Sequence, residues 1–181
     1  MSHDALTTFI EHTRETFGPL TSELVADVHR RLAQLTRAPS SEPWLQALHD
    51  EAPASRELYR DPTHGFILLA HSEPTQLYRA PHDHGRGWVI YGLQRGEMEI
   101  STYARVEGAD GRVRLVQRDV SRLREGEART YLPGDIHDTR CVRGPSLLFR
   151  FTERDLKQED LEAHRVTRYV SQRGVFTVGP T

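Results

Sequence analysis

The chain carries one cysteine, Cys141, so no internal disulfide framework is open to it, and such sparse usage suits a reducing cytoplasm. An excess of one charge is also missing. The 24 basic and 26 acidic residues leave a net charge of -2, which gives no ground for nucleic acid or an anionic membrane as partner. No apolar run approaches the roughly 20 residues of a spanning helix, and the polar N-terminus lacks a secretory core. No Pro/Gly/Ser-rich linker divides the chain and no repeat of fixed period recurs, so 181 residues read as one domain with one well-buried core. No Gly-rich phosphate loop leads from a strand into a helix, and no Ser-His-Asp order appears. Both absences disfavour nucleotide-dependent and serine-hydrolase chemistry.

The first third follows a helical period. Leu6, Phe9, Ile10 and Phe17 form one stripe, with Asp4 placed to cap it and Gly18-Pro19 to end it. Leu24, Val25, Val28, Leu32 and Leu35 form a second, with Arg30 and Arg31 placed to complement its dipole. A short third helix follows Pro39 around Trp44, Leu45 and Leu48. From about Glu57 the period becomes that of strands, expected at 65–71, 76–79, 88–93, 98–106, 113–120, 128–132 and 146–152. Turn signals separate them, among them Gly85-Arg86-Gly87, Arg95-Gly96 and Gly144-Pro145. This spacing predicts an antiparallel barrel or sandwich over 55–181 beneath a helical layer over 1–54. Residues 155–163 read as one or two polar helical turns. Val166 to Val170 and Val175 to Val178 read as edge strands that a second copy could pair with in a homodimer.

Chemistry concentrates in two segments, Pro81-His82-Asp83-His84-Gly85 and Pro133-Gly134-Asp135-Ile136-His137. Residues i and i+2 of a strand share a face, so His82 and His84 can reach one ion and a neighbouring strand need only add His137. Three neutral imidazoles bind a divalent metal and leave positions open for water, substrate or dioxygen. Asp83 should point to the opposite face and accept hydrogen bonds in a turn. The other seven histidines, His3, His12, His29, His49, His64, His71 and His164, read by default as structural or exposed. Cys141 reads as a small buried residue.

These two segments resemble the first and second motifs of the cupin family. The first family motif carries His-x-His, a glutamate five residues after the second histidine and a glycine seven residues further on. The second carries Pro-Gly and then a histidine. Gly96 falls at the glycine position and Val89 at the glutamate, so the chain resembles the three-histidine variant. With His-Asp-His, that variant is similar to the cysteine dioxygenase type I branch, the thiol dioxygenases, and to related metal-dependent double-stranded β-helix enzymes, over roughly 57–152. The resemblance implies a mainly β fold, a double-stranded β-helix (jelly-roll) barrel with an N-terminal helical layer. It implies ferrous iron on His82, His84 and His137, and dioxygenation of a small anionic, thiol-containing metabolite. Zinc, nickel, copper or manganese would also suit three imidazoles. Arg60 corresponds in the resemblance to the arginine that holds the substrate carboxylate. Of the branch's Ser-x-His-x-Tyr set only Ser146 matches, with Leu148 and Arg150 in place of the histidine and tyrosine.

Arg60 and Tyr91 are therefore the candidate substrate-orienting residues, with Arg79, Arg86 and Arg150 as further cations for the same role. Tyr78, Trp88 and Tyr131 bracket the motifs as pocket or core aromatics. Two rival classes remain. A lyase or isomerase would use the metal as Lewis acid with Tyr91, Tyr131 or Asp138 as base, and a metabolite-binding module would perform no chemistry.

Overall fold

The structure, a computed structural model, describes residues 4–163, 166–172 and 175–179. Three helices, α1 (Ala5–Thr16), α2 (Ser22–Leu35) and α3 (Pro43–Glu51), precede the strands. Asp4 caps α1 by accepting from the Thr7 N–H at 2.7 Å, and Thr21 caps α2 by accepting from Leu24 at 3.2 Å. Arg30 and Arg31 serve a local partner, since both pair with Asp27 one turn earlier, Arg31 at 2.7 Å.

Among the described residues nine strands follow in chain order: β1 (Arg56–Arg60), β2 (Ile67–Glu73), β3 (Tyr78–His82), β4 (Val89–Glu107), β5 (Val113–Arg124), β6 (Ala128–Tyr131), β7 (Ile136–Thr152) and, after α4 (Leu156–Ala163), β8 (Tyr169–Gln172) and β9 (Val175–Val178). Strands β4 and β7 are the two long ones, and each crosses from one sheet to the other. The first half of β4 pairs with β6 and with the second half of β7, which pairs in turn with β2 and through it β1. The second half of β4 pairs with β5 and with the first half of β7, whose outer neighbour is β3. Two facing four-stranded layers result, β2-β7-β4-β6 and β3-β7-β4-β5, with β1 added at one edge. This is the jelly roll, or double-stranded β-helix, with the N-terminal helices packed on its first layer.

Two expected turns are replaced by bends within continuous strands. Arg95-Gly96 interrupts the register of β4 against β7, and the partner segment carries Gly144-Pro145. A strand that changes sheets must bend sharply at the corner, and Gly96 does so with φ +96° where a Cβ would meet the Arg143 carbonyl oxygen at 2.6 Å. Turn residues within a barrel strand mark such a corner as readily as a hairpin.

Alternation along the first layer divides the core. Leu68, Ala70, Ile90, Leu147, Phe149 and Phe151 face outward onto Phe9, Val28, Leu32 and Leu45 of the helices. Phe151 is the hub, with ring centroids of Trp88 and Phe66 at 5.2 and 5.5 Å. Gly92 lets α2 approach closely, since a Cβ there would meet Thr36 and Leu32 at 2.8 and 3.0 Å. Val89, Tyr91, Leu93, Met98, Ile100, Leu123, Cys141 and Leu148 face inward and fill part of the barrel. The β8–β9 hairpin, expected to offer a sheet edge, covers the outer face of the chain's own second layer. There Tyr169 is buried with Tyr103 and Ile136.

Asp61 ties these layers together. It is buried, accepts from the N–H groups of Thr63 and His64 at 2.9 and 2.6 Å and from the Tyr59 hydroxyl at 3.0 Å, and pairs with Arg14 of α1 at 3.1 Å. Burial pushes its pKa up, but these hydrogen bonds outweigh it and hold the carboxyl below its ordinary value. The stabilisation is therefore present above the unfolded-state value near pH 4 and is lost as pH falls through the lowered folded one. Asp61→Ala should destabilise by about 2 to 4 kcal/mol, because it strands buried donors. Urea unfolding at pH 7 measures this, and the difference from wild type should shrink in acid.

Candidate metal centre

His82 is the last residue of β3, and its backbone pairs with His137 near the start of β7. His84 lies beyond the strand end, so the two imidazoles of the first motif do not share a regular strand. Asp83 explains the departure. Its backbone N–H donates to the Thr167 carbonyl at 3.1 Å, and its carboxylate accepts from Thr167 and Gly85 N–H at 2.9 and 3.0 Å. The chain is thereby held across the C-terminal segment and turned so that His84 faces inward. Asp83 is a turn acceptor, as its position between the histidines implied.

The three imidazoles converge. One ring nitrogen from each lies within 4.8 Å of one from each of the others, and the ring centroids stand 4.8 to 5.2 Å apart. His84 is 3% exposed and His137 fully buried. His82 Nδ1 lies 2.9 Å from the Ala80 carbonyl oxygen, which can only accept, so the proton sits on Nδ1 and Nε2 keeps its lone pair for a cation. The Tyr91 hydroxyl lies 3.4 Å from Nε2 of His84 and 3.3 Å from Nε2 of His137, so those two atoms face one point.

Burial holds all three rings neutral. It is the largest cause of the lowered pKa at each, and the Arg150 charge pushes the same way at His82 and at His84, which falls to about 3. Nδ1 of His84 and of His137 is buried with no hydrogen-bond partner among the described residues. Neutral, inward-facing imidazoles suit a divalent cation, and the cluster is capable of holding one. Val89, where a carboxylate ligand would stand, is a buried part of the barrel wall.

Supporting groups surround the cluster. Tyr131 stacks on His137 with centroids 3.8 Å apart and planes at 22°. Burial pushes the phenols of Tyr91 and Tyr131 up, so both keep their protons near neutral pH. Asp138, next to His137 and one of the expected bases, points to the other face of β7. It accepts there from Tyr103 at 2.6 Å, Ser101 N–H at 3.0 Å and Tyr78 at 3.1 Å. It is an anchor for the strand that carries His137, and the cavity does not reach it.

A cavity of 590 Å3 opens beside the triad, with His82, His84, Tyr91, Leu148, Arg150 and His71 in its wall. Arg60, the expected carboxylate clamp, is not in that wall. It lies on the surface in ion pairs with Glu57 and Asp155 at 2.7 and 2.8 Å, because β1 is the outermost strand of its layer. Arg86 pairs with Glu159 and Arg79 with Glu73, each at 2.8 Å. Arg150 differs. Its guanidinium makes no ion pair or hydrogen bond among the described residues, its Nε is buried, and its charge acts on His71, His82, His84 and Tyr91.

Ser146 lies outside the cavity wall, its hydroxyl 3.6 Å from the Met98 sulfur. Cys141 is buried beside Met98 as expected of a small core residue. Of the remaining histidines, His29 contacts Thr130 and His64 packs on Phe17, while His3 and His164 lie outside the described residues. Among the described members of this set, His71 is the one that lines the cavity. The signal was present in Leu69, His71 and Glu73, alternate residues of β2 that put polar groups on an inward face.

No protein-family model matches the sequence, and no curated protein matches it. Solved structures do. KdgF from Halomonas sp. is 17% identical with a TM-score of 0.43, covering 54% of this chain and 74% of its own. BH2720 from Bacillus halodurans is 13% identical with a TM-score of 0.45, covering 62% and 81%. The cupin domain of Cnp3 from Schizosaccharomyces pombe is 9% identical with a TM-score of 0.43, covering 59% and 64%.

Proposed function

We propose that this chain is a mononuclear metal enzyme that acts on a small anionic metabolite, with His82, His84 and His137 as ligands and Arg150 as the group that seats the anion. The observation that carries this reading is the meeting, in one cavity wall, of two imidazoles of the neutral triad with an arginine that has no carboxylate partner among the described residues. A divalent ion on three imidazoles supplies Lewis acidity toward a bound carboxylate or carbonyl or, as ferrous iron, a route to dioxygen. Arg150 fixes the carboxylate by its planar fork of donors and offsets its charge. Tyr91, protonated and beside two of the rings, can hand a hydrogen bond to substrate, and the apolar side chains of Leu69, Leu148 and Leu156 limit access of water.

Non-redox chemistry is the reading these residues support best. Leu148 and Arg150 stand where a thiol dioxygenase has its histidine and tyrosine, so those two positions cannot supply that relay. Oxygenation of an anionic thiol on ferrous iron is the second reading, favoured by the absence of a carboxylate ligand at Val89. Three neutral ligands leave the full charge of the ion to attract a thiolate.

The test is metal analysis of the purified protein, followed by turnover assays on small carboxylates and thiols with and without dioxygen. One ion per chain and turnover independent of dioxygen are expected. Dioxygen consumption driven by a thiol would select the oxygenase, tight binding without product would leave a metabolite-binding module, and a chain that takes up no stoichiometric metal would defeat both enzyme readings.

A further inference from the structure

Strands β2 and β7 run antiparallel with Leu69 opposite Arg150 and His71 opposite Leu148, so Arg150 and His71 are diagonal neighbours on one inward face. Such neighbours stand about 7 to 8 Å apart. His71 is 9% exposed, and its Nδ1 lies 3.3 Å from the Ala54 carbonyl oxygen. A carbonyl only accepts, so Nδ1 carries the proton and Nε2 presents a lone pair. Burial, then the Arg150 charge, pushes His71 down to about 4 and leaves the ring neutral. Neither His71 Nε2 nor Arg150 Nε has a hydrogen-bond partner among the described residues, although both are buried. Leaving such groups unsatisfied is unfavourable, and a bound ligand can remove that cost.

We propose, building on the metal-dependent reading, that Arg150 and His71 form a two-point subsite for a small hydroxycarboxylate, its carboxylate on the guanidinium and its hydroxyl donating to His71 Nε2. The donor must be neutral. Arg150, Arg79 and Lys157 all act electrostatically on His71, and the wall's carboxylates, Glu73 and Asp160, are engaged by Arg79 and Arg168, so an ammonium group there is disfavoured against a hydroxyl. The pair explains why the position of the usual tyrosine carries an arginine. It supplies anion recognition from β7 itself, a role Arg60 cannot fill from the outer edge.

Glycolate, methoxyacetate and acetate are the probes, titrated calorimetrically into the full-length protein both metal-loaded and chelator-treated. A metal would itself take the glycolate hydroxyl, so the chelator-treated protein isolates the wall. There glycolate should bind about tenfold more tightly than acetate, the effect of one added buried hydrogen bond. Methoxyacetate, which accepts but cannot donate, should bind no better than acetate. Arg150→Met should weaken all three by about tenfold or more, as loss of a charge-assisted pair requires. His71→Phe should erase the glycolate preference, whereas His71→Gln and Arg150→Lys, which keep an acceptor and a charge, should retain part of each effect and so separate a lost contact from a lost fold.

The proposal is overturned if wild type binds none of the three, if methoxyacetate equals glycolate, if the preference survives in His71→Phe, or if acetate affinity survives in Arg150→Met. Failure of the metal reading would show separately, as missing metal with carboxylate binding unchanged.

Discussion

His137→Ala should bind its divalent ion about 100-fold or more weakly, since even residues that only support a ligand cost 10- to 100-fold when removed. The effect follows from the position of His137. It is fully buried, its backbone pairs with that of His82, and its ring is clamped between Tyr131 on one side and the other two imidazoles on the other. Among the described residues no carboxylate joins the cluster to replace it: Val89 is apolar and Asp138 is committed to Tyr103, Tyr78 and Ser101 on the far face of β7. Removing a buried ring also leaves a void worth about 2 to 4 kcal/mol of stability. His82→Ala, at a half-buried position, separates the two effects. It should lose metal to a similar degree while destabilising less. Chelator competition against zinc or ferrous iron gives the affinities and urea unfolding the stabilities. A His137→Ala protein that holds metal at wild-type affinity would show that the ion sits elsewhere.

What was legible in the sequence was what local spacing controls. Asp4 and the apolar stripes of α1 and α2 act within one or two helical turns, so the helical layer could be read directly. The His-x-His pair and the Pro-Gly segment before His137 are equally local, and the barrel brings them together because β3 and β7 are neighbours. Groups whose place depends on cross-strand register were not legible. Arg60 and Arg150 are both strand arginines that follow an aromatic residue, and that local signal does not distinguish the edge strand β1 from the central strand β7. His71 and Arg150 lie 79 positions apart and meet only through the pairing of Leu69 with Arg150 and His71 with Leu148. Long strands were misread for a related reason. A glycine that bends β4 between sheets carries the same local signal as one that ends a hairpin, and only closure of the barrel decides between them.

Gly96→Ala should lower stability by about 3 kcal/mol or more, the sum of holding a non-glycine residue in a left-handed conformation and displacing backbone that has nowhere to go. At φ +96° an added Cβ would lie 2.6 Å from the Arg143 carbonyl oxygen and 2.8 Å from the Ser146 Cβ. Relief by a side-chain rotation is closed, since the first obstacle is main chain of β7. Gly96 N–H also donates to Glu125 at 2.8 Å, and the Gly96 carbonyl accepts from Arg143 at 3.1 Å, so movement of this corner would break contacts to both flanking segments. By contrast Gly111, at φ +70° with open space around it, should cost only the conformational part, about 1 kcal/mol, on the same change. Urea unfolding of the two variants in chelator-treated protein measures the difference without a contribution from metal. Equal losses at the two glycines would mean that the corner adjusts freely, and the bend of β4 would then lose its standing as the feature that carries the strand from the helix-covered layer to the layer bearing His137.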